Sequence, residues 1–268
     1  MTKKQERDRA RRRWEKQQRI QAQRAERRER TKRLVAILGT GIVVAGLVAG
    51  LAVALKPEPE AETPTASKTT AAGCEQPPQP LGTAAKLELP DKATAKATTW
   101  TATLTTNCGD IVLELDGAKA PQAVASFIQL ARADYWLNSP CQRLGVGEGF
   151  KLLQCGDPTG TGQGNPGYGF GVENAPANGT YPRGTVAMAR TQDPAKGNGG
   201  QFFLVNGDTK LPDATGYTIF GTITQGLDIV DKVAAAGVEP GGESETIGAP
   251  KAPISILRVA VTEKKAQP

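Results

Sequence analysis

The sequence predicts a mainly β domain, a closed antiparallel barrel capped by two α-helices, preceded by a single transmembrane helix. Three observations lead there. From about residue 99 to residue 262, short apolar runs alternate with polar residues between Gly, Pro and Asn turns. Only two segments of that stretch carry helical spacing. Upstream, Leu34 to Leu55 holds no charged side chain over 22 residues.

Residues 1–33 hold 15 of the chain's 33 Lys/Arg and 5 of its 27 Asp/Glu, a local balance of +10. The remaining 18 basic and 22 acidic residues give −4, so the net charge of +6 belongs to the leader. No nucleic-acid partner is expected of the folded body. The leader's mixed charges, many four residues apart, predict a helical or solvated segment whose basic groups suit anionic lipid headgroups. As a helix, residues 34–55 would extend about 33 Å, enough for a hydrocarbon core of roughly 30 Å. A cleavable signal peptide ending at Ala52-Val53-Ala54 is the alternative, although the run exceeds the roughly 7–15 residues of a signal core. An uncleaved anchor leaves the basic leader in the cytoplasm and sends everything after Leu55 across the cell membrane. Residues 56–98, rich in Pro, Ala, Thr and Glu, read as a tether.

Within the domain, Trp100 to Thr105 alternates, Asn107-Cys108-Gly109-Asp110 turns, and Ile111 to Leu115 returns, which predicts a hairpin. Pro121 opens a helix with Val124, Phe127, Ile128 and Leu130 at helical spacing. Leu227 to Val233 reads as the second helix and Ile254 to Val261 as a closing strand, with residues 263–268 as a tail. The chain has no histidine, which excludes histidine acid–base chemistry, His-ligated metals and Ser–His or Cys–His nucleophiles. No C-x-x-C spacing occurs, against a zinc or thioredoxin-like centre. No metal or organic cofactor is expected. Gly162 to Gly167 fits G-x-G-x-x-G, but Pro166 interrupts it and no strand-to-helix context surrounds it, so it predicts no nucleotide site.

Three segments carry the functional signal: Cys141-Gln142-Arg143-Leu144, Leu153-Gln154-Cys155 running into Gly156-Asp157-Pro158-Thr159-Gly160-Thr161-Gly162, and Gly199-Gly200-Gln201-Phe202-Phe203-Leu204. Their order and spacing, from about Thr105 to Val261, resemble a cyclophilin, the peptidyl-prolyl cis-trans isomerase family, of the membrane-anchored bacterial type. The resemblance implies a closed barrel of about eight strands. It implies Arg143 as the catalytic arginine, Gln154 hydrogen-bonding to substrate while orienting Arg143, and Phe203 as the floor of a proline pocket. Phe150 and Leu152 would stand beside it, Ala189 and Arg190 would line the groove, and Gln201 would bind the peptide backbone. Leu211 stands where the eukaryotic branch has tryptophan, and Tyr217 where it has histidine, which implies weak or absent cyclosporin binding. The family's Phe-His before the arginine is Cys141-Gln142 here, and the interval to Gln154 is longer. Either Phe150 or Lys151 therefore holds the family's pocket phenylalanine. Four cysteines outside the cytoplasm are expected to be bridged, Cys141 with Cys155 and Cys74 with Cys108, with buried free thiols as the alternative.

The function implied is acceleration of X-Pro rotation in extracytoplasmic proteins, with proline-containing polypeptides as partners. The alternative is a proline-binding chaperone on the same fold with little turnover.

Overall fold

A computed structural model of the chain describes residues 70–264, apart from 71 and 96. The expected basic leader and transmembrane helix lie outside those residues. Among the described residues, no helix is long and apolar enough to cross a membrane.

The elements follow the sequence periodicity. β1 (Thr99–Thr106) and β2 (Gly109–Asp116) form the hairpin, turned by Asn107-Cys108. α1 (Pro121–Arg132) buries Val124, Phe127, Ile128 and Leu130. Its N-cap Ala120 has no side-chain acceptor, and the carboxylate of distant Glu173 accepts from the backbone N–H of Gln122 and Ala123 instead, at 3.1 and 3.0 Å. There follow β3 (Ser139–Pro140), β4 (Arg143–Gly147), β5 (Phe150–Cys155), β6 (Thr180–Tyr181), β7 (Thr185–Arg190), β8 (Asn198–Val205), β9 (Thr209–Lys210) and β10 (Ile219–Gln225). α2 (Leu227–Ala236), β11 (Ile247–Gly248) and β12 (Ser255–Lys264) complete the domain. β12 continues past the expected end at residue 262, because Lys264 still pairs with Thr99.

Ten strands form one curled antiparallel sheet in the order β11-β4-β5-β8-β7-β10-β2-β1-β12-β3, and β6 pairs with β9 beside it. More strands are present than the eight or so the resemblance implies, for two local reasons. β3 and β4 are one run of chain broken at Cys141-Gln142, where it changes partners from β12 to β5. β11 is a two-residue edge added to β4. The end strands β11 and β3 do not pair with each other, so the sheet is a curled half-barrel and not the closed barrel expected, its ends linked by the chain running from β3 into β4.

The main core lies inside this curl. Phe127 of α1 packs against Trp136, Phe202 and Phe220 with ring centres 4.5, 5.6 and 5.6 Å apart. Trp136 donates its indole N–H to the Gly200 carbonyl at 3.0 Å, so this buried donor is satisfied. A smaller apolar cluster of Leu152, Tyr181, Ala187, Phe203, Val205 and Leu211 forms on the other face of the sheet. Alternation along β8 divides the paired phenylalanines, Phe202 inward and Phe203 outward.

The expected tether needs a correction over its described part. From Cys74 onward it is bound to the domain. The Cys74–Cys108 disulfide pins its start, and the Asn107 amide donates to the Glu75 carbonyl at 2.6 Å. Leu87 N–H donates to Pro166 O at 2.7 Å, and Gln122 and Gln129 of α1 donate to Pro90 O and Glu88 O at 2.9 and 2.7 Å. Composition predicted a free segment because it contains few large apolar residues. A disulfide and hydrogen bonds to its backbone groups hold it instead, three of them donated by side-chain amides of the domain, and these leave no mark in its own side-chain hydropathy.

Candidate active site

Strand register places the sequence-predicted residues. Arg143 on β4 faces Gln154 on β5, Gln154 faces Phe203 on β8, and Phe203 faces Ala187 on β7. Opposed residues on neighbouring strands project to one face of a sheet, so these four form a transverse row. On β5, Phe150, Leu152 and Gln154 share that face, while Lys151, Leu153 and Cys155 take the other. The register decides between Phe150 and Lys151: Phe150 lines the pocket and Lys151 is exposed.

The pocket measures about 180 Å³. Phe203, 3% exposed, is part of its lining with Leu152, Leu211 and Tyr217. Arg143, Phe150, Gln154, Ala189 and Arg190 complete it. An adjoining hollow of about 280 Å³ shares Gln154, Ala189 and Arg190 and is bounded by Gln201 and the glycine-rich loop Gly162–Asn165. Gln201 therefore belongs to the second hollow, and the other nine predicted residues to the first.

Gln201 is the hub between strands and loop. Its Oε1 accepts from Gln142 Nε2 at 2.9 Å and Gln154 Nε2 at 3.0 Å. Its Nε2 donates to the carbonyls of Gly162 and Gly164 at 3.1 and 3.2 Å. Asp157 holds the base of the same loop, accepting from Thr159 N–H at 2.8 Å, Thr159 Oγ1 at 2.7 Å and Gly164 N–H at 3.1 Å. Burial alone would raise the Asp157 carboxyl. These donors more than offset it and hold the group below the ordinary aspartate value.

The expected hydrogen bond between Gln154 and Arg143 is not formed: Gln154 Nε2 donates to Gln201, and the Arg143 donors Nε and Nη2 turn to a carboxylate instead. Arg143 is held by Glu243, which sequence reasoning missed. Arg143 Nε and Nη2 donate to the two Glu243 carboxylate oxygens at 2.7 and 2.9 Å. Those hydrogen bonds keep the Glu243 carboxyl below the ordinary glutamate value, against a smaller upward push from burial. The guanidinium also lies over the Phe150 ring, 5.1 Å from its centre. Gly145 makes that position available, since a Cβ there would collide with the Phe150 ring.

Arg190 is fixed differently. Its side chain is 4% exposed, and it donates to Asp213 Oδ1 at 2.5 Å and to the Gly216 carbonyl at 2.9 Å. Its guanidinium covers the Tyr217 ring at 4.9 Å. Tyr181, also missed, supports the wall from behind. Its hydroxyl accepts from Tyr217 N–H at 2.7 Å and its ring meets Phe203 edge-on at 6.0 Å. Neither Tyr181 nor Asp213 carries a sequence signal, because each meets its partner only through the fold.

Residues 101–261 match the family profile described as cyclophilin type peptidyl-prolyl cis-trans isomerase/CLD. The chain belongs to this family. Over 209 residues it is 37% identical to a Mycobacterium tuberculosis protein named "Probable peptidyl-prolyl cis-trans isomerase B", covering 72% of this chain and 65% of that one. Its Mycobacterium leprae namesake is 40% identical over 185 residues, covering 63% and 61%. The chain thus spans less than two thirds of the length of these curated relatives. A Cryptosporidium parvum cyclophilin type isomerase has a similar solved structure, with a TM-score of 0.51 and 27% identity over 62% of this chain and 99% of that one.

Where the chain departs from the cyclophilin pattern, the structure shows what stands in place. Cys141 and Cys155 are bridged beside Arg143 and Gln154, at the joint between β3 and β4. Gln142 joins the Gln201 hub. The longer interval is an ordinary hairpin, with β4 and β5 turned by Glu148-Gly149 and Gly149 at φ +66°.

Proposed function

We propose that this chain is a peptidyl-prolyl cis-trans isomerase acting on proline-containing segments of extracytoplasmic proteins, held to the cell membrane by residues 34–55. The observation that carries this reading is a guanidinium at the rim of a small apolar pocket containing Phe203, on a chain of the cyclophilin family. A solved C. parvum relative, 28% identical with a TM-score of 0.50, was crystallised in the presence of the dipeptide Ala-Pro, which supports a proline ring as the occupant.

Rotation about an X-Pro bond has a barrier of roughly 18–20 kcal/mol because amide resonance is lost on twisting. No bond is made or broken, so no nucleophile is required. The pocket grips the proline ring, Gln154 offers its Oε1 to the flanking backbone, and Gln201, bonded to Gln142, Gln154 and the glycine-rich loop, holds Gln154 in place. Arg143 donates to the proline carbonyl or toward the pyramidalising nitrogen, which favours the twisted state over either planar one. Lowering the barrier by about 7 kcal/mol corresponds to roughly 10⁵-fold. Arginine suits the role because it stays charged and presents a rigid fork of donors.

The tests follow the parts. In a protease-coupled assay with an Ala-Pro peptide, the full chain accelerates isomerisation and F203A raises KM more than it lowers kcat. A wild type without acceleration would favour the proline-binding chaperone. Both disulfides support an oxidising compartment. Chain taken from cells and alkylated without reduction should therefore expose no thiol, and free thiols would count against the topology. Leu211 in the pocket wall supports weak cyclosporin binding.

A further inference from the structure

Arg143 is the group on which the proposed isomerase depends, and its orientation has an unassigned source. Gln154, the residue opposite it on β5, donates Nε2 to Gln201 and makes no hydrogen bond to Arg143. Glu243 takes two of the three guanidinium nitrogens in a side-on pair, and Nη1 is the nitrogen without a protein partner among the described residues. Phe150 supports the flat face of the same group. A planar fork held along one edge and one face has few orientations left.

The loop that brings Glu243 here is fastened to the arginine's own strand. Val146 N–H on β4 donates to Thr246 O at 2.9 Å, and β11 pairs Ile247 with Gly145 and Gly248 with Leu144. Ser244 N–H donates to Ile247 O at 3.1 Å, closing the turn next to Glu243. Gly242 packs against Ile247 and Gly248 so closely that a Cβ would meet the Ile247 carbonyl at 2.6 Å. Glutamate and arginine therefore ride on one rigid unit although 100 residues separate them. The pair is open to water, with side-chain exposures of 58% for Glu243 and 29% for Arg143. Pairs so exposed contribute little to stability. What the geometry gives is direction.

We propose that Glu243 is a positioning residue of this site: it fixes the Arg143 guanidinium so that Nη1 is the donor presented to the twisting X-Pro bond. The inference rests on the isomerase reading. Its test compares the full-length wild type with E243A and E243D in three measurements: kcat and KM for an Ala-Pro peptide, the melting temperature, and hydrogen exchange at the Arg143 Nε–H by NMR. E243A should lower kcat about tenfold, change KM less than about twofold and leave the melting temperature in place. E243D, which keeps the carboxylate, should recover most of the loss. The Nε–H should exchange slowly in the wild type and quickly in E243A. Wild-type kcat in E243A would overturn the proposal, and a raised kcat would show that Glu243 restrains the arginine. Loss of stability in step with kcat would reduce Glu243 to a structural contact. An inactive wild type would defeat the isomerase reading instead, and the Nε–H comparison alone would then decide whether Glu243 holds Arg143.

Discussion

Arg143, Gln154 and Phe203 were legible in the sequence because their three segments carry the cyclophilin resemblance, and strand register then brings them onto one face. The partners that hold them were not. Glu243 sits in a Gly/Ser/Glu turn that looks like any solvated loop, and Tyr181 occupies a two-residue strand with no periodicity to read. Gly145 is intermediate: its place in a glycine-rich stretch was visible, but its reason, contact with the Phe150 ring, exists only in the hairpin. Gly145→Ala should force that ring off the arginine, costing about 1–3 kcal/mol in urea unfolding and raising KM for an X-Pro peptide. Unchanged KM would show that Phe150 has no part in the pocket. Tyr181→Phe removes the acceptor for Tyr217 N–H while keeping the ring, and about 1 kcal/mol of stability should go with it.

The hairpin, both helices and the closing strand were predicted near their observed ends, since each has a regular apolar period. The Cys74–Cys108 bridge was expected, but the described part of the tether beyond it was misread, because it is held by hydrogen bonds to its backbone carbonyls and from Leu87 N–H. Cys74 and Cys108 are 34 residues apart and Cys141 and Cys155 are 14 apart, so loop-closure entropy gives about 4 and about 3 kcal/mol respectively. The two bridges should differ in function. Replacing Cys74 and Cys108 by serine should lower unfolding stability and speed hydrogen exchange over residues 75–90, with kcat/KM kept. Replacing Cys141 and Cys155 loosens the joint that leads into Arg143 and should cost kcat as well. Equal catalytic effects of the two pairs would contradict this division.

At the scale of the whole molecule, the absence of histidine and the bridging of all four cysteines leave no side chain of ordinary pKa to titrate near neutrality. kcat/KM should therefore be flat between about pH 6 and about pH 8, and a bell within that window would show a titrating group in the site. On the acid side the sign is fixed by Asp157, Asp213 and Glu243, whose folded carboxyls all lie below their ordinary values of 3.8, 3.8 and 4.5. Groups lowered on folding contribute stability above their unfolded values, and the contribution is lost as pH falls through the folded ones. Unfolding free energy should thus hold steady at neutral pH and decline below about pH 4. The mainly β class with two helices was readable at this scale because a period of two with only two helical segments admits few arrangements, whereas closure of the sheet depends on strand ends that carry no periodicity. The measurement that tests the central claim most directly is cis–trans exchange of an Ala-Pro peptide by NMR, with the full chain at a small fraction of the peptide concentration. Wild type should give exchange cross-peaks on a timescale far shorter than the uncatalysed tens of seconds, and Arg143→Ala should lose about 10²–10³-fold of that rate while staying folded. Equal exchange rates for the two proteins would contradict the account.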